Sequence, residues 1–292
     1  MGRISKKLTT NFKTWGSQFR KEMAKAKKSF YIPKTVHDVQ PLVDEGYDPL
    51  HAVYIAVQNT TSVFAECVSV LPELKAYYKV VAAAEDEYMP DGPPMSPLTR
   101  SFFTTWAFFD FRFGSDHETI GTCLLDLANQ LGIDPSIAQA IRQFQQSRMG
   151  VYEHCGTTGK QIHFEELVTG RKLTGICPSG YTGKSGELWY VRFCPPLADL
   201  ADYHVAVTTP YILTTTTATK TDWTAYLNRA MLDMEVRDEG QRLHELLKYG
   251  SWTHQWNEFV FLAFHHHQYE AIFLAGIPDV KGSLPHAKRG RK

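Results

Sequence analysis

Apolar residues recur every three or four positions near the start of the chain, which is the spacing of one face of an α-helix. Lysines and arginines occupy most of the remaining positions. The apolar face consists of Leu8, Phe12, Trp15, Phe19 and Met23. Pro33 ends the pattern, because proline cannot continue a helix interior. We therefore predict a basic amphipathic helix within residues 1–33.

The helical period continues from 34 to 150. Asp48-Pro49 is a typical helix start, with an acidic cap before a proline at the first helical position. The segment Pro90–Pro94 breaks regular structure. Aromatic residues return at helical spacing between Thr99 and Phe113, where we expect them to be core. This stretch predicts a helical domain.

The pattern changes near Val151. Gly-containing turn signals now separate short runs rich in β-formers, which is typical of a meander or a small barrel. The runs are Gln161–Glu166, Lys172–Cys177, Leu188–Phe193 and Tyr203–Leu213. We predict an antiparallel β module over 151–217.

Helical patterning returns in the C-terminal part. Asp222 predicts the start of a helix that runs to Tyr249, with an interruption at Gly240. Trp252–Leu274 predicts a final amphipathic helix, with a strand pair as the alternative. C-terminal helices are therefore expected over 218–280. The predicted class is α+β, with a helical N-terminal half, a small antiparallel meander or barrel in the middle, and C-terminal helices.

The zero net charge of the chain hides an uneven distribution. Residues 1–28 carry nine lysines and arginines against one glutamate, and 281–292 form a basic tail of five cations with no acid. Such ends indicate contact with a polyanion or self-association through opposite charges. The alternative is that both ends are merely solvated.

Composition narrows the class of protein. No run of eighteen apolar residues is present, so a membrane span is not expected. No secretory signal is recognisable. The five cysteines are odd in number and show no CxxC spacing, which favours reduced thiols and a cytoplasmic location. No cofactor is predicted.

A helix-turn-helix is one interpretation of Thr122–Arg148, because Ala128 permits close helix packing and Gly132 permits a tight turn. Glutamine and arginine side chains on the second helix would read base edges in the major groove. The outer residues expected there are Gln139, Arg142, Gln143, Gln146 and Arg148. Phosphate contacts would come from Lys6, Lys7, Arg20 and Lys21. The other interpretation is an ordinary helical hairpin with a polar outer face.

The segment Gly180–Ser185 resembles the end of a phosphate-binding loop. The motif needs glycine where Pro178 stands, and a helix where Leu188–Phe193 predicts a strand. We therefore predict no nucleotide binding at this loop.

Three further residues suggest a metal site. If Trp252–Leu274 is one helix, then His254, Glu258 and His265 share a face, and imidazole and carboxylate groups bind zinc or iron. The spacing matches no metal signature, so packing or surface roles are the alternative.

These observations give two functional hypotheses. The first is a non-catalytic intracellular binding or adaptor protein, with DNA or RNA as the ligand, or with another protein docking on the β module. The second is a hydrolase with a His/Glu site, with or without a metal, between the β module and the last helix. Whether the protein is an enzyme is not decided by the sequence.

Overall fold

The computed structural model describes residues 1–29, 32–91, 96–197, 200–232, 234–236 and 238–278, leaving aside the side chains of 27–29. These residues form eleven α-helices and eight β-strands, which confirms the predicted α+β class. Helices account for the regular structure up to residue 146, and six strands lie between residues 149 and 213. The predicted basic tail at 281–292 lies outside the described residues.

The helices are α1 (Arg3–Thr10), α2 (Phe12–Ser29), α3 (Gln40–Asp44), α4 (Pro49–Val68), α5 (Lys75–Tyr88), α6 (Arg100–Thr105), α7 (Ile120–Leu131), α8 (Pro135–Gln146), α9 (Lys220–Ala230), α10 (Glu239–Tyr249) and α11 (Gln255–Leu262). The strands are β1 (Met149–Thr158), β2 (Gln161–Glu166), β3 (Lys172–Ile176), β4 (Leu188–Cys194), β5 (His204–Ala206), β6 (Tyr211–Leu213), β7 (Phe264–His267) and β8 (Ile272–Leu274). A π-helical turn (Trp106–Asp110) continues α6.

The chain divides into two compact units, and each is assembled from stretches that are far apart in sequence. The helical unit consists of Met1–Glu85, Thr104–Ser147 and Cys194–Asp202. The barrel unit consists of residues 86–103, 148–193 and the described chain from 203 onward. The division of the sequence into five consecutive segments stays a prediction.

The basic N-terminal segment forms two helices, so the single helix predicted within 1–33 is wrong. The break falls at Asn11, whose φ of −87° and ψ of 7° end α1. The indole Nε1–H of Trp15 donates to the Leu8 carbonyl at 3.0 Å and so ties α2 back to α1.

The apolar stripe of this segment packs within the helical unit. Trp15 and Phe19 of α2 lie edge-on to Phe64 of α4, with ring centroids 5.8 and 6.4 Å apart. All three side chains are buried. Burial of aromatic area is a large stabilising contribution, so this contact holds α2 against α4.

Helices α4, α7 and α8 form a three-helix core in the helical unit. Tyr54 of α4 meets Phe144 of α8 edge to face, with centroids 5.8 Å apart. Gly121 lets α7 approach closely, because a β-carbon there would collide with Gln145 and Phe109. The buried amide of Gln145 donates to the Phe109 carbonyl at 2.9 Å. Packing and a satisfied polar group together specify this arrangement.

Five strands of the barrel unit close on themselves in the order β1-β2-β3-β5-β4, and β4 pairs back to β1. Residues 149–153 of β1 pair with β4 and residues 152–158 pair with β2, and the ladder with β2 contains a bulge between His154 and Gly156. Bulges bend a strand and so help a sheet to close. The β module of the prediction is thus a barrel, but β3 and β5 run parallel, where antiparallel pairing was expected.

This closed order, with β3 parallel to β5, is that of the OB-fold, a five-stranded Greek-key barrel. Its interior is aromatic: the Phe164 ring lies 5.1 Å from Trp189 and 5.0 Å from Phe193. Gly175 faces Phe193, whose ring would come within 2.9 Å of a β-carbon there. Aromatic side chains therefore fill the interior of the barrel and form its hydrophobic core.

Three strands extend the sheet beyond the barrel through β4. The order continues β6-β8-β7, with β6 and β8 parallel. The helix predicted over Trp252–Leu274 is therefore wrong beyond Leu262, where α11 ends. Ile272–Leu274 instead pairs with Tyr211–Leu213, which supplies backbone hydrogen bonds that a helix would have supplied locally.

Candidate nucleic-acid interface

A short, capped turn joins α7 to α8. Gly132 ends α7 in the left-handed region at φ 70°, ψ 31°, which a glycine adopts without strain. Asp134 then caps α8, accepting from the Ser136 N–H at 2.8 Å and from its hydroxyl at 2.6 Å. Pro135 occupies the first helical position, where proline is tolerated. Three residues thus connect the helices, as the motif requires.

Helix α8 divides cleanly into a buried and an exposed face. Its apolar residues face α4 and α7 and are buried: Ile137, Ala140, Ile141 and Phe144. On the opposite side Gln139, Arg142 and Gln146 are exposed, and Gln143 beside them is half-buried. Since residues three and four apart share one helical face, the exposed three form a continuous polar stripe.

The stripe is partly ordered by its own contacts. The Arg142 Nη1–H group donates to the Gln139 side-chain carbonyl at 2.8 Å. This hydrogen bond is on the surface and leaves further guanidinium donors for a ligand. We refer to Gln139, Arg142 and Gln146 as the α8 stripe.

Arg148 does not belong to the α8 stripe. The helix ends before it, at Ser147, whose ψ of 160° is extended. The Arg148 guanidinium pairs with the carboxylate of Glu166 at 2.9 Å, and both side chains are largely buried, at 10% and 2% exposed. The positive charge of Arg148 is therefore paired with Glu166 inside the barrel unit.

The four predicted phosphate-contacting cations are exposed: Lys6, Lys7, Arg20 and Lys21. Arg20 also lies over the Phe12 ring, 5.8 Å from its centroid.

Helix α1 is positioned by a contact that the sequence analysis did not predict. The buried carboxylate of Glu118 accepts from the N–H groups of Ile4 at 2.8 Å and Ser5 at 2.9 Å. No local signal points to it, because more than a hundred residues separate the partners.

The predicted metal set is not assembled on one helical face. His254 precedes α11 as its N-terminal cap residue, Glu258 lies within α11, and His265 lies on β7, beyond the end of the helix. The premise of a shared face is therefore wrong. Among the residues that the structure describes, no group of three or more His, Cys, Asp or Glu side chains is placed to hold a metal ion.

The outer face of the barrel carries a hydrogen-bonded row across three strands. His163 of β2 lies between two hydroxyls, with Nε2 2.9 Å from Thr158 of β1 and Nδ1 3.1 Å from Thr174 of β3. Nearby on β1, the Cys155 thiol contacts the Glu153 carbonyl, and burial raises the pKa of this thiol. A raised pKa disfavours the reactive thiolate.

The loop Gly180–Ser185 connects β3 to β4, so a strand follows it, as predicted. Within this loop the Thr182 carbonyl lies 3.0 Å from Nε2 of buried His154. Tyr181 packs on Trp189 with ring centroids 5.3 Å apart. These contacts hold the loop against the barrel, so packing is sufficient to explain which residues occur in it.

In the described part of the chain, no helix combines the length and the apolar character needed to cross a membrane. Comparison with known protein families, with curated proteins and with solved structures finds no match to this chain.

Proposed function

We propose that this protein is a non-catalytic nucleic-acid-binding protein that presents α8 to the major groove of duplex DNA. The observation that carries the proposal is the α8 stripe. It lies on the second helix of a hairpin with a three-residue, glycine-containing turn, inside a three-helix core. That is the setting in which a recognition helix is held in front of DNA.

The chemistry of the stripe suits base recognition. Arginine donates to the O6 and N7 atoms of guanine, and glutamine makes a bidentate pair with adenine. Arg142 and the glutamines beside it thus supply both kinds of contact from one exposed face. Exposure matters here, because a side chain spent on intramolecular packing has no free groups for a base.

The exposed cations of α1 and α2 supply the nonspecific part of binding in this proposal. Lysines and arginines that neutralise phosphates release bound counterions, so affinity falls as salt rises. Lys6, Lys7, Arg20 and Lys21 are available for this because their side chains reach solvent.

We assign the contact to α8 rather than to the barrel. OB-fold barrels bind oligonucleotides or oligosaccharides on some faces, but a fold does not by itself define a function. Binding of single strands uses aromatic side chains on which bases stack. The side chains that alternate outward on β2 are instead Gln161, His163 and Glu165.

Two other functions are alternatives to this proposal. Docking of another protein on the β module stays a prediction. The hydrolase hypothesis also stays a prediction, although His254, Glu258 and His265 lie on a cap, a helix and a strand rather than on one helical face.

The test is a selection of duplexes from a random pool with the full-length protein, followed by affinity measurements between 50 and 200 mM salt. We expect one or more sequences to be enriched, with log K falling as log salt rises. Changing Lys6, Lys7, Arg20 and Lys21 together to Gln should flatten that slope by up to roughly 3–4. Failure to retain any duplex at low salt would refute the proposal.

A further inference from the structure

A groove runs through the helical unit between α2 and the α7–α8 turn. Its volume is about 460 Å³, within the roughly 300–1,000 Å³ typical of small-ligand sites. Four groups of residues line it: Phe19, Arg20, Met23 and Ala24 of α2; Ile32, Pro33 and Lys34; Thr60 of α4; and Leu131–Asp134 with Ile137 at the turn and the start of α8.

The floor of the groove is apolar. Phe19, Pro33 and Ile137 are buried beneath it, and Met23 and Ile133 are half-buried at its walls. An apolar chain binds favourably to such a surface, because binding removes apolar area of both partners from water. Thr60, a buried polar side chain, also lines the groove, and the apolar part of the floor suits a hydrocarbon segment.

The rim of the groove is cationic. Arg20 and Lys34 line it, and both are exposed. Among the described residues that line the groove, the acidic one is Asp134, which caps α8 and accepts from the Ser136 N–H and hydroxyl. Those hydrogen bonds lower its pKa, so it stays charged, but two cations still face one anion.

We propose that this groove binds a single-chain amphiphile with a carboxylate head group, such as a medium-chain fatty acid. The chain lies on the apolar floor, and the carboxylate meets Arg20 and Lys34 at the rim. This binding site goes beyond the proposed nucleic-acid function and does not depend on it.

The experiment is calorimetric titration of the full chain with sodium decanoate, kept below the concentration at which it forms micelles, and with decanol as the uncharged probe. We expect decanoate to bind and decanol to bind several-fold more weakly, since charge-assisted hydrogen bonds to the rim are lost. Equal affinity for the two probes, or no decanoate binding, would overturn the proposal.

Two variants locate the site. Changing Arg20 and Lys34 to Gln should weaken decanoate binding about tenfold or more. The matched control changes Lys75 and Lys79 of α5 to Gln, which likewise removes two exposed charges, neither of which lines the groove, and it should change affinity less than about twofold. Equal losses in the two variants would mean nonspecific attraction and would overturn the assignment.

A third variant tests the floor. Met23→Glu places a carboxylate on the half-buried wall of the groove, and it should abolish decanoate binding while circular dichroism shows that the helices are retained. If it is unfolded, the methyl resonance of Met23 in the wild-type protein decides instead: it should shift with decanoate. Unchanged binding in a folded Met23→Glu protein, or an unshifted resonance, would contradict the site.

Discussion

The carboxylate of Glu118 accepts both the backbone N–H of Ser5 at 2.9 Å and its hydroxyl at 2.6 Å. Both residues are buried. A carboxylate at the first turn of a helix takes up N–H groups that have no partner within the helix. The N-terminal helix is thus held by a residue from the loop before α7, and its lysines are presented from a fixed position.

We predict that Glu118→Ala destabilises the protein by about 2–4 kcal/mol, because it leaves buried donors on α1 without an acceptor. Urea unfolding measures this. The matched control is Asp116→Ala, since Asp116 accepts from the Arg3 N–H at 2.8 Å but is exposed. The control should cost much less than Glu118→Ala, because solvent screens an exposed carboxylate. Similar costs for both variants would contradict the role given to Glu118.

Substitutions at Arg148 and Arg142 should affect different properties. Arg148→Ala should lower stability, whereas Arg142→Ala should affect DNA binding. Arg148→Ala breaks a buried pair with Glu166 and should cost about 3 kcal/mol of unfolding free energy. Arg171 also approaches Glu166, at 3.7 Å, but its side chain is 58% exposed, so Arg171→Ala should cost less than about 1 kcal/mol. Arg142→Ala should leave stability unchanged. A stable Arg148→Ala protein would show that the buried pair contributes little.

Replacing Gly132, in the turn between α7 and α8, should lower stability through the backbone conformation of that residue. Gly132 adopts φ 70°, and a β-carbon there would meet no atom within 4 Å. Gly132→Ala should therefore cost about 1 kcal/mol through backbone strain alone. Gly132→Asn should cost less, because asparagine tolerates the left-handed region. Thermal unfolding ranks the three proteins, and an alanine variant as stable as the wild type would contradict the assigned turn geometry.

His204 of β5 predicts a pH dependence. Burial lowers its pKa below the ordinary value of 6.5, and the nearby positive charge of Arg171 lowers it further. The unfolded chain therefore binds a proton at this site before the folded protein does. The contribution of His204 to stability should be constant above about pH 6.5 and should fall as the pH drops towards the folded pKa.

Urea unfolding at pH 7.5, 6.5 and 5.5 tests this, with His204→Asn as the comparison. The asparagine variant should lose less stability on acidification than the wild type. Parallel curves for the two proteins would mean that His204 titrates alike in the folded and unfolded states.

Local signals in the sequence were enough to predict the α7–α8 hairpin. Gly132 supplies the turn and Asp134-Pro135 the start of α8, and both act within a few residues of where they stand. The exposed face of α8 followed from the same helical period. Arg148 was placed on that face wrongly, because the helix ends at Ser147 in order to enter β1.

Non-local pairing accounts for what the sequence did not predict. The apolar spacing of Trp256, Phe259 and Val260 suits a helix, and nothing in the next residues marks its end as clearly as a proline would. The strand Ile272–Leu274 exists because β6, some sixty residues earlier, offers it an edge. The parallel contact of β3 with β5 is likewise a property of barrel closure rather than of either strand.

We predict that sequence recognition resides in the α8 stripe. The direct measurement compares affinities for a selected duplex and a scrambled one in three full-length proteins. These are the wild type, a variant with Gln139, Arg142 and Gln146 changed to Ala, and a control with Lys75 and Lys79 of α5 changed to Ala. The control removes two exposed positive charges, one more than the stripe variant.

The ratio of the two affinities should fall at least about tenfold in the stripe variant, since each lost bidentate contact is worth roughly 1–3 kcal/mol of discrimination. The control should weaken both duplexes alike and keep the ratio. If the stripe variant discriminates between the duplexes as well as the wild type does, α8 is not the recognition helix and the proposed function is contradicted.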